Sequence, residues 1–338
     1  MFISLIVPVY NSSQYLDKCL ASIKSQTFND YEVIMVDDGS TDDSGEICLR
    51  ACEADNRFKL LEHRTNRGAS AARNTGVDAA TGTYITFLDN DDWIEGANAL
   101  SNAHKLCVET DWPDLILHEM GSYWPLSNTL EFPTRKSIHP QLTNFANATE
   151  SLFFLIRNNL YHSSACEKIV KRSLLQDNGI SFDEKVKHNE DSDWSCRVLC
   201  LAKSLAWLDE SFYVYRRASD VSQSSRPITV KVLDDIAYVI EKNLRYVESN
   251  RVSEQRKEIA LNYLSYIYLI LVSYLFSDNT EPFKARRKLQ HKNVWLLKHG
   301  TNSRVRLANL LRMIGGYGTM GHLAGAAMSH ERKRVKAR

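Results

Sequence analysis

The chain has 338 residues, 43% of them hydrophobic and 25% charged, a composition that fits an ordinary globular protein with one large domain or two modest ones. Its seven cysteines are odd in number and include no C-x-x-C pair, which excludes a zinc or redox site of that spacing and leads us to expect reduced thiols in a cytosolic protein. A net charge of +1 hides an asymmetry: residues 281–338 carry 14 Lys and Arg against Glu281 and Glu331, or +12, while the preceding residues carry 28 basic and 39 acidic side chains, or −11.

The N-terminal MFISLIVPVYN has no basic start and is interrupted by Pro8, so it is expected as a first strand and not as a signal peptide or anchor. The runs ISLIVPV, YEVIMVD, FKLLEH, YITFLD and DLILHE predict strands, and segments 12–26, 42–55, 69–80 and 95–109 predict helices. Leu16, Leu20 and Ile23 form one stripe of the first helix, with Ser12 or Ser13 available as its cap. This alternation implies an α/β fold with a mostly parallel sheet and helices on both faces. Residues 120–147 read as loop, 148–177 and 191–204 as helix, and 205–217 as strand; from 228 onward the chain reads as helical, and no repeat or low-complexity tract occurs. The uncharged stretch 259–276 is long enough to raise a bilayer span, but the tyrosines, Asn262, Ser265 and Ser273 along it favour a buried or interfacial helix.

Polar clusters end three of the predicted strands: Pro8-Val9-Tyr10-Asn11, Asp37-Asp38-Gly39-Ser40-Thr41-Asp42 and Asp89-Asn90-Asp91-Asp92. In a doubly wound sheet ligands bind beyond the carboxyl ends of the strands, so these clusters are expected to converge on one acidic crevice. Singly, VDDGSTD is equally well a plain turn with a helix cap, and DND a solvated loop. Together, carboxylates ending two buried strands call for an opposite charge, which a hard divalent cation with phosphate and water oxygens supplies. An EF-hand is excluded because neither DNDDWIE nor DGSTDD has Gly in sixth place, and no G-x-G-x-x-G follows the first strand; a Walker lysine loop is also absent.

SLIVPVYN, VDDGSTD, RGASAARNTG, YITFLDNDDW and NEDSDW, in this order over residues 1–220, resemble family 2 glycosyltransferases, the inverting nucleotide-sugar enzymes of the GT-A fold. The resemblance implies a Rossmann-like catalytic domain over 1–227, nucleotide-sugar binding in 1–120 and acceptor-facing in 121–227, then a helical basic region over 228–338. It further implies that Pro8, Val9 and Tyr10 line the base pocket and that Asp38 accepts the N3 hydrogen of uracil. Asp89 and Asp91 match the D-x-D element, with Asp91 the direct ligand of Mg or Mn, and Asn90 and Arg73 belong to the donor site. Asp191 matches the general base, beside Glu190; without the resemblance this pair reads as a helix cap and first-turn acids. Cys166-Glu167-Lys168 departs from the W-x-K-like element of many relatives, which leaves sugar or acceptor stacking there in doubt. YRRASDVSQS, 215–224, resembles a segment that closes over the diphosphate, so that Arg216 or Arg217 clamps phosphate; the alternative is a surface loop pairing with the acidic body. Among the histidines, only His188 lies near the expected base.

The expected activity is inverting transfer of a hexosyl or N-acetylhexosaminyl group from a UDP-sugar to a hydroxyl of a glycan or lipid-linked saccharide, in surface polysaccharide assembly. Competing readings are a sugar-phosphate nucleotidyltransferase, whose glycine-rich basic loop is missing, and a nucleotide-sugar binder without turnover, for which a general base has no use. Expected partners are the donor, the acceptor and an anionic membrane at its cytoplasmic face, with no nucleic acid. Val305, Leu307, Leu310, Leu311 and Ile314 beside Arg304, Arg306 and Arg312 predict a helix lying in the headgroup region, ended by Gly315, Gly316 and Gly318, with SHERKRVKAR as a second contact.

Overall fold

The computed structural model describes residues 1–134, 137–143, 145–217 and 227–336. Among the described residues eleven strands form in chain order: β1 Ile3–Val9, β2 Tyr31–Asp37, β3 Phe58–Glu62, β4 Tyr84–Phe87, β5 Trp93–Ile94, β6 Leu115–Leu117, β7 Met120–Trp124, β8 Thr129–Glu131, β9 Lys168–Lys171, β10 Leu205–Trp207 and β11 Tyr213–Arg216. The helices are α1 Ser13–Lys24, α2 Ser44–Ala54, α3 Ala69–Ala79, α4 Ala99–Glu109, α5 His139–Leu142, α6 Ala148–Arg157, α7 Arg172–Asn178, α8 Glu190–Leu201, α9 Val230–Val247, α10 Glu254–Leu275, α11 Glu281–Gln290 and α12 Ser303–Lys336. They divide between two compact units. The first comprises 1–148, 164–185 and 202–222; the second comprises 149–163, 186–201 and 223–338, so α6 and α8 belong with the helical C-terminal part.

In the first unit a seven-stranded sheet runs in the order β10-β6-β9-β4-β1-β2-β3 and is parallel except at β9. Strands β1 and β2 are buried along their whole length, as the unbroken β-branched runs ISLIVPV and YEVIMV require when helices cover a parallel sheet. From β1 the chain steps outward to β2 and β3 and returns to β4 on the other side of β1. The strand order therefore reverses between β1 and β4. A second sheet, β5-β11-β7-β8, stands beside the acidic loop that follows β4.

Three sequence expectations change. Residues 120–131 hold the β7–β8 hairpin where a loop was expected. The expected helix over 148–177 is broken: α6 stops where Asn159 takes a left-handed φ of 55°, and KIVK forms the antiparallel β9 before α7. The expected strand 205–217 is two strands in different sheets.

In the second unit α10 packs against α8, α9, α12 and the 3-10 segment His291–Lys298. It is long and apolar enough to cross a bilayer, yet two thirds of that window is buried, with Tyr263 and Tyr268 hydrogen-bonded inside. Gly316, at φ 80°, breaks α12 as expected; beyond it the chain is helical again to Lys336. Val305 is buried, and the exposed large apolar side chains of α12 before Gly316 are Leu307, Leu310, Met313 and Ile314.

Candidate active site

The carboxyl ends of β1 and β2 are stitched by their own turn residues. The backbone N–H of Asp38 donates to the carbonyl of Val9 at 2.8 Å. Asn11, at a left-handed φ of 44°, accepts on Oδ1 from the N–H of Thr41 at 2.8 Å and donates its own N–H to Ser40 Oγ at 3.1 Å. Asp37 closes the DGS turn by accepting from the N–H and hydroxyl of Ser40 at 2.9 and 2.5 Å. Gly39 is required there: its φ is 74°, and a Cβ would sit 2.9 Å from the carbonyl carbon of Thr65. Pro8 and Val9 are buried residues of β1, whereas the Tyr10 side chain at the strand end is exposed.

Asp38 is 3% exposed, and its carboxylate serves the loop between β3 and α3. It accepts from the N–H of Arg67 at 2.9 Å, the N–H of Gly68 at 2.6 Å and Nδ1 of His63 at 2.6 Å. Nε2 of His63 lies 2.9 Å from Thr75 Oγ1 on α3, so one acid ties β2, β3 and α3 together. These donors share the carboxylate that the resemblance assigns to the uracil N3–H. His63 escaped the sequence reading, although it ends a predicted strand on the side where ligands bind.

The loop after β4 gathers Asp89, Asn90, Asp91 and Asp92. Its turn closes through the Asp92 N–H to the Asp89 carbonyl at 3.0 Å. Arg73 of α3, itself buried, donates from Nη2 to Asp89 Oδ1 at 2.9 Å, and Asn90 is half-buried at the tip. Asp92 is fully buried and accepts from the Tyr213 hydroxyl at 2.6 Å and the Arg216 N–H at 2.7 Å, which binds the loop to β11. Burial, then the charges of Asp91 and Asp89, push the Asp92 carboxyl well above the usual carboxylate range against those two donors. The Cys19 thiol of α1, with Sγ 3.8 Å from the Asp89 carbonyl, is likewise raised, first by burial and then by Asp92, Asp91 and Asp89.

Among the described residues, no three His, Cys, Asp or Glu side chains are placed to hold a metal. The chain alone offers Asp91 and Asp89, and Arg73 already neutralises one oxygen of Asp89. Two hard carboxylate donors with no further ligand fit Mg or Mn that takes its remaining positions from a diphosphate and water.

Arg216 donates from Nε to the Asp91 carbonyl at 2.9 Å, next to the acids. Arg217 turns away onto β7, with its Nε 3.1 Å from Ser122 Oγ. The rest of the expected clamp, 218–224, lies outside the described residues.

Glu190 and Asp191 stand half-buried in the first turn of α8, in the second unit. Asn189, at φ 68°, precedes them and accepts the Ser192 N–H at 3.1 Å on its carbonyl. Two nearby groups are structural partners within that unit. Asp193 is fully buried between Arg197 at 2.7 Å, Lys242 at 3.0 Å and the Asn243 amide at 2.9 Å. His188 Nδ1 lies 2.9 Å from Asp235 on α9.

The profile of the family described as Glycosyl transferase family 2 matches residues 4–178. Glycosyltransferase GlyG of Streptococcus pneumoniae serotype 4 is 31% identical over 231 residues, 64% of this chain and 71% of that protein. The poly(ribitol-phosphate) beta-glucosyltransferase of Bacillus spizizenii is 30% identical over 220 residues, 64% of this chain but 32% of that longer protein. The crystal structure of S. aureus TarS 1–349 in complex with UDP-GlcNAc superposes with a TM-score of 0.72 at 21% identity, covering 98% of this chain and 92% of that one. With the GT-A architecture and the carboxylates at its switch point, these matches make the chain a glycosyltransferase belonging to family 2.

Proposed function

We propose that the protein transfers a sugar, with inversion, from a UDP-sugar to a hydroxyl of a glycan or lipid-linked saccharide in surface polysaccharide assembly. The observation that carries this reading is the acidic loop Asp89–Asp92 at the point where strand order reverses, beside the stitched ends of β1 and β2. The named relatives are glycosyltransferases, one of them acting on a poly(ribitol-phosphate), and the structural neighbour was crystallised with UDP-GlcNAc.

In this mechanism Tyr10 and the backbone at the ends of β1 and β2 receive the base, with Asp38 holding the 63–68 loop as one wall. Asp91, with Asp89, would hold Mg or Mn, which when bound stabilises the charge on the leaving diphosphate. Arg73 fixes Asp89, and Asp92 fixes the loop to β11 so that Asp89 and Asp91 need not rearrange. Asp191 takes the acceptor proton as that oxygen attacks the anomeric carbon; its place in the first turn of α8, among N–H groups that favour negative charge, suits an ionised base. The exposed Leu307, Leu310, Met313 and Ile314 beside Arg304, Arg306 and Arg312 support peripheral contact with anionic membrane at the cytoplasmic face.

The test is calorimetric titration of UDP with Mn and again with EDTA, together with UDP release from UDP-sugars with and without a saccharide acceptor. Equal UDP affinity in both titrations overturns the metal role, and acceptor-independent binding without release favours a silent binder. Vesicle co-sedimentation should rise with anionic lipid and fall in high salt; indifference to lipid charge removes the membrane contact.

A further inference from the structure

His63 is anchored from two directions at the carboxyl edge of the first unit's sheet. It follows β3, whose last residue, Glu62, pairs with Asp37 of β2, and its backbone N–H donates to the Asp37 carbonyl at 2.8 Å. Its side chain, 8% exposed, spans from Asp38 Oδ1, 2.6 Å from Nδ1, to Thr75 Oγ1 of α3, 2.9 Å from Nε2. An ionised carboxylate can only accept, so Nδ1 carries the hydrogen; in the neutral ring Nε2 is then bare and takes the Thr75 hydroxyl hydrogen. Thr75, His63 and Asp38 thus form one chain of donors running from helix to strand end.

Among the described residues three donors reach the Asp38 carboxylate. Oδ1 accepts from His63 Nδ1 and, at 2.9 Å, from the Arg67 N–H; Oδ2 accepts from the Gly68 N–H at 2.6 Å and shares the Arg67 N–H at 3.1 Å. A carboxylate has about four acceptor sites, so Oδ1 is full and one site remains, on Oδ2. The three donors are not equivalent. Arg67 and Gly68 belong to the loop that Asp38 itself holds, whereas His63 is anchored by the sheet and by α3, independently of the acid. The torsion that turns an aspartate carboxylate is soft, and His63 is therefore the partner able to fix which oxygen stays open and in what direction.

We infer that His63 is a positioning residue for recognition of the nucleotide base: it occupies Oδ1, keeps the open site of Oδ2 for an N–H donor, and thereby selects uracil over cytosine. N3 of uracil carries a hydrogen and satisfies that site; N3 of cytosine carries a lone pair, which would face the carboxylate unpaired. The inference rests on the proposed UDP-sugar reading and deepens it, since it assigns base selectivity to a residue outside the motifs that carry the family resemblance.

The test is calorimetry on the full chain with UDP and with CDP, Mg present throughout. The ratio of the two affinities is the readout, because bracing of the loop alone would change both nucleotides alike. The parent should bind UDP about tenfold or more tighter than CDP, and His63→Leu, which removes the donor, should bring that ratio to about threefold or less. His63→Asn, whose amide nitrogen can replace Nδ1, should keep the ratio within about twofold of the parent, whereas His63→Gln, whose amide replaces Nε2 instead, should lose it as the leucine variant does. The glutamine variant carries the test if His63→Leu fails to fold, as read by its urea midpoint. A parent that prefers UDP, with His63→Leu and His63→Gln keeping the full ratio or losing UDP and CDP affinity equally, overturns the inference and leaves the UDP-sugar reading standing. A parent that binds CDP as tightly as UDP, or binds neither, overturns that reading and the inference with it.

Discussion

The two units use aspartate in opposite ways. In the second unit Asp193 and Asp235 are each paired with cations, Arg197 and Lys242 about the first and Lys231 about the second, which also contacts His188 Nδ1. They are neutralised within the chain and link α8 and the segment before it to α9. In the first unit Asp89, Asp91 and Asp92 crowd one turn, Arg73 pairs with Asp89, and burial with mutual repulsion drives the Asp92 carboxyl up. Acids that the fold has paired are adhesive; acids left crowded at a strand end are a place for something to bind. The difference arises from position, because helix faces bring i,i+4 cations alongside, whereas parallel strands that end together bring like turns together.

The comparison breaks most visibly at Asp193. Asp193→Ala strands Arg197, Lys242 and Asn243 without their shared acceptor and should cost about 3–5 kcal/mol, read as a lower urea midpoint. A neutral outcome would mean that these contacts are not what links α8 to α9. Two positions earlier on the helix, Asp191→Asn should leave the urea midpoint nearly unchanged and lower sugar transfer by about 100-fold. Turnover near the parent rate would move the proton transfer to Glu190.

Within the first unit, Asp38→Ala should weaken UDP by about 1–3 kcal/mol even without metal, by releasing His63, Arg67 and Gly68. Asp91→Asn should remove only the metal-dependent part of UDP affinity, so calorimetry with and without Mn separates the two acids. Glu32 on β2 offers a paired acid inside the first unit. Burial opposes its ionisation, yet Lys59, Ser4 and Thr81 outweigh it and hold its carboxyl at about 2, below the usual 4.5. Its contribution to stability is therefore complete above pH 4.5 and lost as pH falls towards 2. Glu32→Gln should flatten the urea midpoint across that window, and an unchanged acid slope would refute the assignment. The smallest effect belongs to the half-exposed Arg286–Asp234 pair, where Arg286→Ala should cost less than about 1 kcal/mol.

Much of the first unit was legible because burial on both faces leaves continuous apolar runs: β1 and β2 match their predicted spans residue for residue, and α3 falls within one residue of its own. Short elements were not legible. KIVK is four residues long, carries a buried lysine and pairs antiparallel between β4 and β6, a placement no local pattern reveals. The β7–β8 hairpin was missed because Gly, Ser and Asn in GSYWPLSNTLE read as loop. The assignment of α6 and α8 to the helical unit was likewise hidden, since membership of a unit depends on packing partners far away in the chain.

What the sequence by itself determined is the alternation that makes an α/β sheet, the polar clusters at its strand ends, and the motif set that marks family 2. These depend on local spacing and residue type. Only the tertiary structure decided which acids are engaged: Asp38 by the loop 63–68, Asp92 by Tyr213 and Arg216, and Asp193 by Arg197, Lys242 and Asn243. It alone also brought His63 between Asp38 and Thr75, 25 positions from one and 12 from the other. Charge acts through distance in space, and distance in space is set by how the strands are ordered, which the chain does not spell out one residue at a time.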